Sequence, residues 1–166
     1  MQFKISDQVV HPAYGIGHIV NIEEKRFAHQ EAQWYYKVRL PKRTLWLPVE
    51  TQGASGLRPI TAKNELDRYR NLLKSPPLPL ERNHHRRHPA LLRRLKEGSF
   101  QVLCEVVRDL TAWSWRKPLG PTDMATLRKI RQSLSQEWAT AAGVSPNEAI
   151  KEIDSLLLAT QQAFRG

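Results

Sequence analysis

At 166 residues with 40% hydrophobic content, the chain can hold one compact domain or two small ones, each close to the lower limit for a stable core. A formal net charge of +10 favours a polyanionic partner by long-range attraction. The single Cys104 excludes a disulfide framework within the chain and fits a reducing cytoplasm. No apolar run approaches the ~18 residues of a membrane span. The opening Met1-Gln2-Phe3-Lys4 lacks a signal-peptide apolar region, so a cytoplasmic protein without a membrane partner is expected.

The first sixty residues read as β. Val9-Val10, Ile16–Ile22, Gln33–Leu40 and Thr44–Leu47 are short runs rich in β-branched and aromatic residues. In the third, Trp34, Tyr36, Val38 and Leu40 alternate with Tyr35, Lys37 and Arg39. This period of two predicts one buried and one partly basic face. Gly15-Ile16-Gly17 supplies a tight corner and lacks the further residues of a phosphate loop. Pro48 should end the fourth strand. Four or five bent strands in this length predict a small SH3- or Tudor-like barrel over residues 1–60.

A helix over about 62–74 follows, with Leu66, Tyr69, Leu72 and Leu73 on one side. Pro76, Pro77 and Pro79 then break it and make a stiff connector, so residues 61–80 are expected to lead into a second domain at 81–166. That domain reads as four helices. The first, 87–97, is basic; Gly98 ends it and Ser99 caps the next. Phe100, Leu103, Val106, Val107 and Leu110 keep helical spacing, with Trp113 in the bundle core and Trp115 more exposed. Thr122 is expected to cap a third helix with Met124, Leu127, Ile130, Leu134 and Trp138 on its apolar face, ended by Gly143. Ser145-Pro146-Asn147-Glu148 is a capping box with proline at the first helical position. The fold class is therefore α+β: a small barrel, then a helical bundle.

Charge is spread evenly along the chain, with 12 Lys/Arg and 7 Asp/Glu in residues 1–80 and 14 and 9 in residues 81–166. Clustering is not even. Between Glu81 and Gly98 stand six Lys/Arg, three His and two carboxylates, a composition suited to phosphate. Arg82, Arg86, Arg87, Arg93 and Lys96 are the expected phosphate contacts, with His84 and His85 beside them. Such contacts carry little base readout. His84 and His88 are four apart and can share a helix face as a metal pair, yet no nearby aspartate supplies a third ligand, and no metal or other cofactor is expected. No hydrolase, zinc-protease, nucleotide-loop or dinucleotide motif is present, and no carboxylate pair suggests acid–base work. An enzyme is not expected. Two rivals remain: a nucleic-acid module that acts alone, distinguished by salt-sensitive binding to free DNA or RNA, and a small metal enzyme around His84, His85 and His88, distinguished by metal analysis.

The segments Phe3-Lys4-Ile5-Ser6-Asp7-Gln8-Val9-Val10-His11-Pro12-Ala13-Tyr14-Gly15-Ile16-Gly17, Leu47-Pro48-Val49-Glu50, Gly56-Leu57-Arg58, and Leu95 through Gly98-Ser99 to Glu105-Val106-Val107-Arg108-Asp109-Leu110 together resemble the CarD/CdnL family of bacterial transcription regulators. The N-terminal domain of that family is shared with the transcription-repair coupling factor; no helicase motif follows here, as in the stand-alone regulators. The resemblance implies a Tudor-like domain that binds the β-subunit lobe of RNA polymerase. It also implies a helical domain that touches promoter DNA at the upstream edge of the transcription bubble, where a tryptophan wedge resists bubble collapse. By position in the family-like barrel, Lys25, Arg26, Arg43 and Trp46 are polymerase-contact candidates. The expected state is a monomer, associated with the nucleoid through polymerase.

At the wedge the chain departs from the family. Counted back without gaps from Glu105–Leu110, the tryptophan position falls on His84. Arg86 and Arg87 match the family's basic pair; His88 stands at an aromatic position, and Pro89 where a basic residue is common. Aromatic–base stacking is worth about 1–3 kcal/mol per base, and an imidazole recovers only part of it. A charged imidazole is favoured in a narrow, negative minor groove, so a histidine wedge should strengthen as pH falls towards about 6.5. Loss of bubble stabilisation with retention of polymerase binding is the other outcome.

Overall fold

The computed structural model describes residues 2–51 and 56–164. The chain divides into two compact units, Met1–Ile60 and Thr61–Gly166.

The first unit is a five-stranded antiparallel sheet built from β1 (Gln8–His11), β2 (Gly15–Lys25), β3 (Gln33–Leu40), β4 (Arg43–Pro48) and β5 (Arg58–Pro59), in the order β4-β3-β2-β1-β5. The inner face of β3 is as expected, with Tyr36, Val38 and Leu40 buried beside Phe3, Val9, Ile19 and Leu57, but on the other face Tyr35 is buried as well. Trp34 breaks the pattern; it has core parity but lies near the end of the strand and is 54% exposed. β2 continues to Lys25, beyond the expected end at Ile22, and its register against β3 shifts between Ile19 and Asn21. The shift returns Ile22 to the core side, where it packs on the cluster. Gly15 has φ +82, and a β-carbon at Gly17 would come within 2.7 Å of the Arg39 carbonyl oxygen. The first glycine makes the corner and the second allows the close approach of β2 to β3. Pro48 is the last residue of β4, an edge strand, the setting in which a sheet tolerates proline.

The second unit contains α1 (Leu66–Lys74), α2 (His84–Lys96), α3 (Phe100–Arg116), α4 (Pro121–Ala142) and α5 (Pro146–Phe164). Its main core joins Leu66, Tyr69 and Leu73 of α1 to Phe100, Cys104 and Val107 of α3, Leu134 and Trp138 of α4, and Ile153 of α5. Among the described residues the bundle thus has five α-helices where four were expected. Residues 61–80, expected to be a connector, belong to it. The Thr61 amide and hydroxyl both donate to the buried Glu137 carboxylate, at 3.0 and 2.7 Å. The proline-rich stretch is pinned as well: Arg108 donates to Ser75 Oγ at 2.8 Å, and the Leu78 amide donates to Asp109 Oδ1 at 3.0 Å. Arg108 itself holds Asp109 at 2.9 Å.

Local signals account for most helix ends. Ser99 Oγ accepts from the Val102 amide, Gly98 and Gly143 take positive φ, and Ser145 Oγ accepts from the Glu148 amide. Two starts differ from expectation. α2 begins at His84, three residues early, because Asn83 caps it through the His85 amide at 2.9 Å. α4 begins at Pro121 after Gly120, so Thr122 lies inside the helix instead of capping it. Of the expected apolar face of α4, Met124 is 48% exposed while Ile130, Leu134 and Trp138 are buried.

Candidate functional site

The basic segment 82–96 is sorted by the helix it forms. Arg86, Arg93 and Lys96, with Pro89 between them, fall at i, i+3, i+7 and i+10, which places them in one stripe of α2. All are exposed, as are Arg82, His84 and His85. Leu92, 48% exposed, flanks that stripe. The rings of His84 and His85 lie 4.0 Å apart, tilted by 37°.

Arg87 does not join the stripe. It is 7% exposed, with Nε and Nη2 at 2.8 and 2.7 Å from Asp123 Oδ2 of α4. Its Nη1 donates to the carbonyls of Glu81 and Arg82, and its guanidinium lies 5.0 Å from the ring centroid of Trp113. Four of its five N–H donors are engaged and the side chain is buried, so Arg87 is a structural cation and is removed from the phosphate-contact set. Arg94, two turns further on, leans toward the buried Asp109 at 3.8 Å and keeps its side chain 35% exposed. The sequence signal for this inward pair lay outside the segment, in two aspartates on neighbouring helices.

The two late tryptophans are both half-buried, where Trp113 was expected in the core and Trp115 more exposed. Trp115 packs against the main core. Trp113 lines a cleft with Arg82, His84, His85 and Lys117. Cys104 is fully buried, and that burial pushes its thiol far above the ordinary range, so it is a protonated core group. Among the described residues, no group of three or more His, Cys, Asp or Glu is placed to hold a metal ion. Asp123, the one carboxylate among the described residues lining the cleft that holds His84 and His88, is bound to Arg87.

On the sheet unit, the register decides a question that alternation left open. Leu45 and Leu47 pack on the core, so Trp46 faces outward, opposite Lys37 of β3. Lys25 Nζ lies 4.0 Å from the Trp46 ring centroid, and the indole N–H donates to Glu23 at 2.6 Å. That hydrogen bond, then the Lys25 charge, holds the Glu23 carboxyl below the usual carboxylate range. Lys25 and Trp46 are therefore brought together, with Lys37 5.7 Å from the same ring. Arg43, at the opposite end of β4, lies 4.0 Å over the Tyr14 ring, and Arg26 donates to the Gln30 carbonyl in the β2–β3 turn. The four candidates form one compact pair and two separate positions. Lys37 and Tyr14 stand beside these candidates without having been singled out from the sequence; strand parity and pairing together would find Lys37.

Family comparison covers most of the chain. Residues 3–61 match the model for the CarD-like/TRCF RID domain, and residues 68–154 match that for the CarD C-terminal domain. A Bacillus subtilis (strain 168) protein named "Putative transcription factor YdeB" is 26% identical over 147 residues, covering 88% of this chain and 96% of its own length.

Proposed function

The chain belongs to the CarD family of transcription factors, and on that premise we propose that it regulates promoter opening, its sheet unit bound to the β-subunit lobe of RNA polymerase and its helical unit on promoter DNA. The N-terminal domain of this family interacts with RNA polymerase. The observation that carries the DNA half is the exposed stripe Arg86–Arg93–Lys96 beside Arg82, with the neighbouring Arg87 withdrawn to a buried aspartate and Arg94 leaning toward another. What remains outward is cationic and suited to phosphate, not to base edges. On the sheet unit, β4 lies at the edge of the sheet and, among the described residues, pairs with β3. An edge strand suits strand addition, with Trp46 and Lys25 beside it as the anchoring pair. The protein acts as a non-enzymatic monomer in the cytoplasm, and polymerase delivers it to promoters.

Binding to an isolated β-lobe fragment of the cognate polymerase tests the first half. Trp46→Ala should weaken it by about 2 kcal/mol or more, the loss typical of a central aromatic anchor. No saturable binding of the unaltered chain would leave a polymerase-independent nucleic-acid module as the better reading.

Salt titration tests the second half. With Arg82, Arg86, Arg93 and Lys96 on phosphates, log K against log salt should slope by about −3 to −4. Arg93→Gln with Lys96→Gln should flatten it by about 2. An unchanged slope would remove the stripe from the interface.

His84 stands exposed at the start of α2 and is assigned the wedge position. His84→Ala should shorten open-complex lifetime, because an aromatic ring stacked at the edge of the bubble is lost. His84→Trp should lengthen it. Lifetimes insensitive to both substitutions would refute the assignment.

A further inference from the structure

The cleft lined by Trp113 has a volume of about 660 Å3, within the range of small-ligand sites. It is enclosed by the first turns of α2, the residues that follow α3, and the start of α4. Its apolar lining is flat: the Trp113 indole with Pro89, Pro118 and Pro121. Its polar lining is cationic. Arg82 and Lys117 are exposed, and the one carboxylate among the described lining residues, Asp123, is neutralised by Arg87.

Trp113 is held as a fixed plate, because Arg87 lies against it while anchored at Asp123 and at two carbonyls. His88 also lines the cleft, with its Nδ1 atom buried. Pro89 has no N–H, so the carbonyl of His85 lacks its partner one turn on. An aromatic plate, proline walls and a cationic rim suit a planar heterocycle that carries a phosphate.

We propose that this cleft receives a single unstacked nucleobase, stacked on Trp113, with the adjoining phosphate at Lys117 and Arg82. The proposal rests on the nucleic-acid reading of α2 and deepens it. Bases within a duplex cannot enter; a base extruded from the helix can. Stacking on an aromatic plate tolerates every base, so the site selects unpaired DNA without selecting its sequence.

The test compares two labelled duplexes of one sequence, fully paired and with one central bulged nucleotide, bound by the full chain. The bulged duplex should bind about fivefold tighter or more, the low end expected for one stacked base. A 2-aminopurine at the bulge should be quenched on binding. Trp113→Ala should abolish the preference and the quenching while paired-duplex affinity stays within about twofold, since the phosphate stripe is untouched. Should Trp113→Ala fail to fold, Lys117→Glu, at an exposed position, should reduce the same preference.

Equal affinity for the two duplexes overturns the proposal and leaves the DNA reading standing, as does a preference that survives both substitutions. Binding to neither duplex overturns both. A second arm titrates deoxyadenosine monophosphate against Trp113-dependent fluorescence. Saturation with displacement of the bulged DNA supports the shared base-plus-phosphate chemistry with a free nucleotide as its source. Saturation without displacement overturns the assignment of DNA to this cleft.

Discussion

Arg87→Ala should destabilise the helical unit by about 3–5 kcal/mol, as for one partner removed from a buried ion pair, and leave the salt dependence of DNA binding unchanged. The two halves of this result separate a structural cation from a phosphate contact. Asp123 is 4% exposed and would keep a buried carboxylate with no counter-charge. The carbonyls of Glu81 and Arg82 would also lose their shared donor. Arg87→Lys should rescue little, because one ammonium cannot reproduce both the fork on Asp123 and the carbonyl contacts. Arg87→Met with Asp123→Leu should restore most of the stability, since an apolar pair removes both desolvation costs. Chemical denaturation followed by helical circular dichroism measures this as a shift in midpoint. A loss below about 1 kcal/mol, typical of an exposed pair, would return Arg87 to the surface set.

The second large effect is at Asp109. Asp109→Ala should cost about 3–5 kcal/mol by the same mechanism, with Tm falling by roughly 12 °C or more. Asp109 is 2% exposed and Arg108 6%; the carboxylate serves Arg108, the Leu78 amide and, at longer range, Arg94. Its loss strands a buried guanidinium and releases the proline-rich stretch that Leu80 otherwise ties to Leu91, Val106 and Leu110. Limited proteolysis should then cut within residues 75–83. Asp109→Asn retains an acceptor for the Leu78 amide and should lose less. Protection of that stretch in Asp109→Ala would contradict the role given to the pair. The segment Glu105–Leu110 carries part of the family resemblance, and within it Arg108 and Asp109 act on the fold.

Particular elements show how far the chain could be read in one dimension. The strands were legible because alternation is local, and so were the ends marked by Ser99, Gly143 and Ser145–Glu148, where a cap acts within one turn. The start of α2 was not, because Asn83, His84 and His85 look like a polar loop until the Asn83 side chain is seen to accept from the His85 amide. The fifth helix of the bundle was placed with a connector because prolines mark a break in secondary structure and carry no information about which core the broken piece joins. Among site residues, Arg82, Arg86, Arg93, Lys96, His84 and His85 are exposed as phosphate contacts must be, whereas Arg87 is not.

The sequence by itself determined the α+β order of elements, most of their boundaries and the family, because periodicity, capping and motif spacing are properties of neighbouring residues. Only the tertiary structure decided which side chains are free to act. Arg87 meets a carboxylate 36 residues away, Trp46 is turned outward by its pairing with Lys37, and Trp113 meets α2 across the bundle. Each is a long-range contact between groups of opposite charge or complementary shape, and burial, not local pattern, selects it.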